Sequence, residues 1–151
     1  MELDPSIERF LALTDIAFVG ASRDSKEFAN QVYRQLRAGG REMYPVHLDR
    51  PFIEGDATVA SAAELPDGVD GIVVMLAPED ALPVVRAAID RGLTMVWLHH
   101  GIGAGADSDE AIDACRRAGV TVIVGCLLMY AEPVAWFHRV HRALARPRRA
   151  A

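Results

Sequence analysis

Ile16-Ala17-Phe18-Val19-Gly20-Ala21-Ser22 is the stretch of sequence from which the fold can be read. Residues 16–19 have the length and composition of a buried β-strand, and Gly20 allows the backbone to turn sharply where that strand ends. A helix is predicted to follow within a few residues. The first backbone N–H groups of a helix have no partner inside it, so they can bind a phosphate group. The stretch therefore predicts an anion-binding loop between a strand and a helix.

Four further runs of strand length follow, of which the one at residues 42–47 is the weakest. The runs are rich in β-branched residues and nearly continuous in apolar character, which is typical of parallel strands that are covered on both faces. The five predicted strands cover residues 16–19, 42–47, 71–76, 94–98 and 120–124.

Amphipathic stretches separate these strands, and several of them end at a glycine that is typical of a helix C-terminus. Asp80 is the predicted N-cap of one of these helices, and Pro83 then falls in its first turn. A later helix is predicted to be capped at Asp107 or Ser108. The predicted helices cover about residues 6–13, 28–38, 80–91, 107–118 and 133–145.

Strands that alternate with helices at this spacing predict βαβ units with right-handed crossovers. We therefore expect an α/β protein with a three-layer, doubly wound, mostly parallel sheet of the Rossmann-like type. A length of 151 residues favours one domain over residues 1–151. Its N-terminal helix lies within residues 1–14, and residues 133–151 form a C-terminal helix with a basic tail.

Composition excludes several classes of partner. A net charge of −5 argues against nucleic acid, which is normally bound by a basic domain. Cys115 and Cys126 make no disulfide framework and are typical of reduced thiols in the cytoplasm. The acidic N-terminus lacks the pattern of a signal peptide, and no apolar run is long enough for a membrane span. We expect a soluble, cytoplasmic protein, and an exposed sheet edge favours a homodimer.

Ligands of doubly wound sheets bind beyond the carboxyl ends of the strands, where the strand order reverses. This edge is expected to be rich in glycine, serine, histidine and arginine, which suits a phosphorylated ligand, and arginine can form paired contacts with phosphate. The residues expected there are Gly20, Ala21, Ser22 and Arg23 after the first strand, Val46, His47 and Arg50 at the second, Ala77 and Pro78 after the third, and His99, His100 and Gly101 at the fourth.

The dinucleotide fingerprint G-x-G-x-x-G is incomplete here. Only Gly20 is present, and Ser22 and Ser25 stand in the region of the later glycines. Asp49 comes late for the acid that holds the ribose of a dinucleotide. A tight turn without any ligand is the alternative interpretation of this loop.

Three motifs taken in order carry a family resemblance. The chain resembles the CoA-binding domain family in three motifs, which are the stretch at residues 16–22, then Tyr44-Pro45-Val46, and then Val96-Trp97-Leu98-His99. Its stand-alone, Rossmann-like members are related to the N-terminal CoA-binding domain of the succinyl-CoA synthetase alpha subunit. The resemblance covers about residues 16–130. It departs from the family pattern at His47-Leu48, where members commonly have Asn-Pro.

The resemblance implies that coenzyme A or an acyl-CoA is the ligand, a small molecule of the nucleotide type. It implies pyrophosphate at Gly20, Ala21 and Ser22, adenosine at Val46 and the residues after it, pantetheine at Ala77 and Pro78, and the thiol end near His99, His100 and Gly101.

No reaction and no catalytic residue can be assigned from the sequence, and no spacing of histidine, cysteine and carboxylate residues indicates a metal site. Three hypotheses remain. The chain is a CoA-binding module, an NAD(P)-linked or acyl-CoA-handling enzyme in which Cys126 is a candidate nucleophile, or a metabolite or redox sensor whose C-terminal helix engages a partner.

Overall fold

The computed structural model describes residues 3–22, 24, 27–101 and 105–130. The predicted C-terminal helix and basic tail at residues 133–151 lie outside the described residues, as does the candidate site residue Arg23. Within the part of the chain that the structure describes, no helix is both long enough and apolar enough to cross a bilayer.

Parallel strands form the central sheet, as the sequence predicts. The strands in chain order are β1 (Asp15–Val19), β2 (Glu42–Val46), β3 (Phe52–Ile53), β4 (Asp56–Ala57), β5 (Gly71–Val74), β6 (Met95–His99) and β7 (Thr121–Gly125). Five of them pair in the order β2-β1-β5-β6-β7, and every pairing in this sheet is parallel. The remaining two, β3 and β4, form a small antiparallel hairpin.

Helices cover both faces of the sheet, which confirms the three-layer α/β fold. The helices are α1 (Pro5–Leu11), α2 (Phe28–Ala38), α3 (Pro78–Arg91) and α4 (Asp109–Arg117), with a 3₁₀ turn at Ala62–Glu64. Alternate side chains of β1 point to opposite faces. Ile16 and Phe18 pack with α1 and α2, whereas Ala17 and Val19 pack with α3 and α4.

One predicted helix start is wrong, and the structure decides between Asp107 and Ser108 for another. Helix α3 begins at Pro78 rather than at Asp80, because a proline fits the first helical position, where its missing N–H is not needed. Pro83 consequently lies inside the helix. The N-cap of α4 is Ser108, whose hydroxyl accepts the N–H of Ala111 at 3.1 Å. Asp107 is instead bonded to a histidine, as described below.

The β3–β4 hairpin was not predicted. The chain leaves β2, makes this short excursion and returns to pair Val59 beside Val46. Its turn contains Glu54 at φ 49° and Gly55 at φ 84°. Such an angle is uncommon for a residue with a side chain, so the contacts of Glu54 must hold it there.

Arg41 is a buried charge that joins the ends of two helices. Its side chain donates to the carbonyl oxygen of Leu11 at 2.6 Å and to that of Leu36 at 3.3 Å, and the residue is 3% exposed. Leu11 is the last residue of α1, and Leu36 lies in the last turn of α2. A cation is stabilised there because the last carbonyls of a helix carry partial negative charge.

Candidate functional site

The strand order places a crevice between the carboxyl ends of β1 and β5. From β1 the chain moves to β2 on one side, and from β2 it crosses to β5 on the other side of β1. Neighbouring loops therefore diverge above these two strands, and such switch points hold the ligands of doubly wound sheets. Gly20, Ala21 and Ser22 follow β1 at this point, and Ala77 and Pro78 follow β5.

Gly20 is required where the loop after β1 passes over the end of β5. Its φ is +120°, and a Cβ built on it would overlap the carbonyl oxygen of Met75 and lie 2.9 Å from the carbonyl carbon. The Met75 N–H in turn donates to the oxygen of Val19 at 2.9 Å. A side chain at residue 20 would therefore push two strand ends apart.

Ser22 is held by the side chain of Asn30. The Ser22 N–H donates to Asn30 Oδ1 at 2.9 Å, and Asn30 Nδ2 donates to the Ser22 carbonyl at 2.7 Å. The Ser22 hydroxyl accepts the N–H of Asp24 at 3.1 Å. The Ser22 N–H is thus already bonded, whereas that of Ala21 has no hydrogen-bond partner among the described residues.

Asn30 is a site residue that the sequence reasoning missed. It is fully buried, in α2, beside the apolar Val32 and Tyr33. A polar residue on the buried face of an amphipathic helix was the available signal, because a buried amide needs hydrogen-bond partners.

His47 closes the turn that follows β2. Its Nδ1 atom accepts the backbone N–H groups of Asp49 and Arg50, each at 3.1 Å. Its own backbone N–H donates to Val59 at 2.9 Å. These two hydrogen bonds to Nδ1 fix the turn that contains Arg50. Leu48, which also lies in this turn, is 80% exposed.

His99, the last residue of β6, and Cys126, the first residue after β7, flank the same glycine. A Cβ built on Gly101 would lie 3.3 Å from His99 Nε2 and 3.9 Å from Cys126 Sγ. The His99 ring also contacts the ring of Phe28, with 5.5 Å between centroids. Phe28 is the first residue of α2, so this contact links the loop after β1 to the end of β6.

Burial keeps His99 neutral. Loss of solvent lowers its pKa, and the neighbouring charge of His100 lowers it further. Its Nδ1 atom is buried and has no partner among the described residues.

His100 is paired with Asp107 and is more exposed. The distance from His100 Nδ1 to Asp107 Oδ1 is 2.6 Å. Gly105 packs directly against both side chains, and a Cβ on it would overlap them. This pair fastens the segment before α4 to the end of β6.

Because the central sheet is all parallel, the described site residues lie along one edge of it. Gly20, Ala21 and Ser22 follow β1, beside Ala77 and Pro78 after β5. Val46, His47 and Arg50 lie at the end of β2, and His99, His100 and Gly101 at the end of β6. Within the described residues, no group of three histidine, cysteine or acidic side chains is placed to hold a metal ion.

A family model described as "CoA binding domain" matches residues 14–132 of the chain. A conserved hypothetical protein from Pyrococcus furiosus is 32% identical, with a TM-score of 0.69, over 76% of this chain and 97% of that one. A hypothetical protein from Pyrococcus horikoshii is 25% identical, with a TM-score of 0.79, over 87% of this chain and 92% of its own.

A larger enzyme shares the fold. The dinucleotide-forming acetyl-coenzyme A synthetase 1 of Ca. Korarchaeum cryptofilum is 24% identical, with a TM-score of 0.67. The match covers 77% of this chain and 26% of the synthetase. No curated protein sequence matches the chain.

Proposed function

This chain belongs to the CoA-binding domain family, and from that premise we propose that it is a cytoplasmic protein that binds coenzyme A or an acyl-CoA. The observation that carries the proposal is the loop at Gly20, at the switch point of the sheet. Gly20 lets the backbone cross the end of β5, and the N–H of Ala21 is left without a protein partner among the described residues. A diphosphate would supply the missing acceptor.

The other parts of CoA would follow the same edge. The 3′-phosphate and adenosine would lie toward Val46, His47 and Arg50, where the guanidinium can bind a phosphate. The pantetheine arm would pass Ala77 and Pro78 and end near the group around Gly101.

Calorimetry with CoA, dephospho-CoA and NAD tests this assignment. We expect CoA to bind most tightly, because only it carries the 3′-phosphate, and we expect NAD to bind least. Tighter binding of NAD than of CoA would support the dinucleotide-linked enzyme instead. A folded protein without measurable affinity for CoA would overturn the proposal.

The Ser22→Asp substitution is expected to weaken CoA binding at least about fivefold, since a new negative charge next to the diphosphate costs on the order of 1–3 kcal/mol. The loop itself should survive. The serine hydroxyl accepts the N–H of Asp24, and an aspartate side chain can accept it in the same way.

The Ser22→Asn variant is the matched control, because it has the same shape without the charge. Its CoA affinity should stay within about threefold of the wild type. Equal affinity of the two variants, measured by calorimetry on folded protein, would place the diphosphate elsewhere.

A further inference from the structure

The side chain of Asn30 has all of its polar atoms engaged. Its Oδ1 accepts from Ser22, and its Nδ2 donates both to the Ser22 carbonyl and to Glu54 Oε2, at 3.1 Å for the latter. The Asn30 side chain is therefore hydrogen-bonded to both the N–H and the carbonyl of Ser22, in the loop after β1. Since α2 is a rigid element packed on the sheet, these two hydrogen bonds fix the loop relative to the strands.

Glu54 determines which way the Asn30 amide faces. Burial raises the pKa of Glu54, but the hydrogen bonds from Asn30 and Arg34 lower it by more than burial raises it. The pKa of Glu54 therefore lies below its usual value. The ionised carboxylate accepts hydrogen bonds only. It therefore requires the NH₂ group of Asn30 on its side and leaves the carbonyl oxygen for the Ser22 N–H.

The hairpin that carries Glu54 is itself fastened to α2. Arg34 pairs with Glu54 Oε1 at 3.1 Å, and Arg37 donates to the Glu54 carbonyl at 2.6 Å and to Asp56 at 3.0 Å. The hydroxyl of Tyr33 also donates to Asp56. These contacts hold Glu54 at its positive φ, directly beside Asn30.

We propose that Asn30 is a positioning residue for the CoA diphosphate, and that Glu54 sets the orientation of its amide. This inference rests on the proposed function. Because Asn30 holds both the N–H and the carbonyl of Ser22, the two peptide units that flank Ser22 are fixed, and with them the conformation of Ala21. Without that hold the backbone at Ala21 and Ser22 can rearrange, and the Ala21 N–H is no longer pre-organised to bind the diphosphate.

The Asn30→Asp variant tests the proposal by changing the chemistry while keeping the shape. The introduced carboxyl group can still accept from the Ser22 N–H. Ionised, it repels the Ser22 carbonyl and the Glu54 carboxylate, and protonated, it can donate to only one of the two acceptors that the Asn30 amide satisfies. We expect about a tenfold loss of CoA affinity in calorimetry. We also expect faster hydrogen exchange of the Ser22 amide in the ligand-free protein.

Two companion variants separate positioning from charge and from general destabilisation. Gln35→Glu makes the same amide-to-carboxylate change on the partly exposed side of α2, one turn further from the loop, and should leave CoA affinity unchanged. Adding Glu54→Gln to Asn30→Asp restores a donor opposite the introduced carboxylate. This double variant should bind CoA at least about threefold more tightly than Asn30→Asp alone. A residue that only supports the fold would give additive losses.

Each outcome bears on one claim. If the wild type does not bind CoA, the proposed function fails, and the exchange rate of the Ser22 amide still decides whether Asn30 holds the loop. If the wild type binds CoA and Asn30→Asp binds it equally well, the positioning role is overturned.

If Asn30→Asp does not fold, Glu54→Ala replaces it. Ser22 exchange unchanged by Glu54→Ala would contradict the role given to Glu54.

Discussion

Replacing Gly20 by alanine is expected to lower the free energy of unfolding by about 2–5 kcal/mol. An L-residue with a positive φ is strained by about 1–2 kcal/mol. The added Cβ would also overlap the carbonyl of Met75, which is part of the backbone and cannot rotate away. Overpacking of this kind costs a further 1–3 kcal/mol, roughly. Urea denaturation followed by circular dichroism measures the loss.

Gly92→Ala is the matched control for this prediction. Gly92 also has a positive φ, +93°, but nothing lies within 4 Å of a Cβ built on it. It should therefore show only the backbone strain, about 1 kcal/mol. If both alanine variants lose the same stability, the close approach of the loop to β5 is not what requires Gly20.

Arg41→Met is the second large effect and is expected to destabilise the protein by about 2–4 kcal/mol. Methionine fills part of the volume, but it leaves the Leu11 carbonyl without its arginine donor and removes the positive charge from two helix ends. A buried carbonyl that loses its partner costs about 1–3 kcal/mol, and the helix-end charge adds up to about 2 kcal/mol. Part of this loss is offset, because methionine carries no charge and the desolvation cost of the buried guanidinium disappears.

Arg41→Lys distinguishes charge from geometry in the same denaturation experiment. An ammonium keeps the charge, yet as a compact point charge it cannot reproduce the paired donation to two helix ends. An intermediate loss of about 1–2 kcal/mol is expected. Wild-type stability in Arg41→Met would mean that burying the guanidinium costs as much as its contacts contribute.

The strands were predictable from sequence because burial on both faces leaves a direct signature. The run at residues 71–76 contains β5, and that at residues 42–47 contains β2. Helix starts were less predictable. Pro78 suits the first position of a helix and Asp80 suits an N-cap, so the sequence carries two competing signals within three residues.

The candidate site was predictable as an edge of the sheet but not as a set of contacts. Gly20 follows a strand directly, so its place was evident. The bonds of Asn30 reach Ser22, eight residues away, and Glu54, 24 residues away. The hairpin that supplies Glu54 has strands of two residues, too short for any periodic pattern, and it is held by tertiary contacts.

The all-parallel pairing of the central sheet also shapes how the chain folds. No two neighbouring strands of this sheet are joined by a tight turn, so no ladder can form before a whole crossover has been wound. Pairing any two strands of this sheet requires closing a loop of many residues first, which slows folding relative to helical proteins of similar size. Until then the unpaired strand edges stay open to other chains, and dilute refolding is the condition that favours recovery of the native protein.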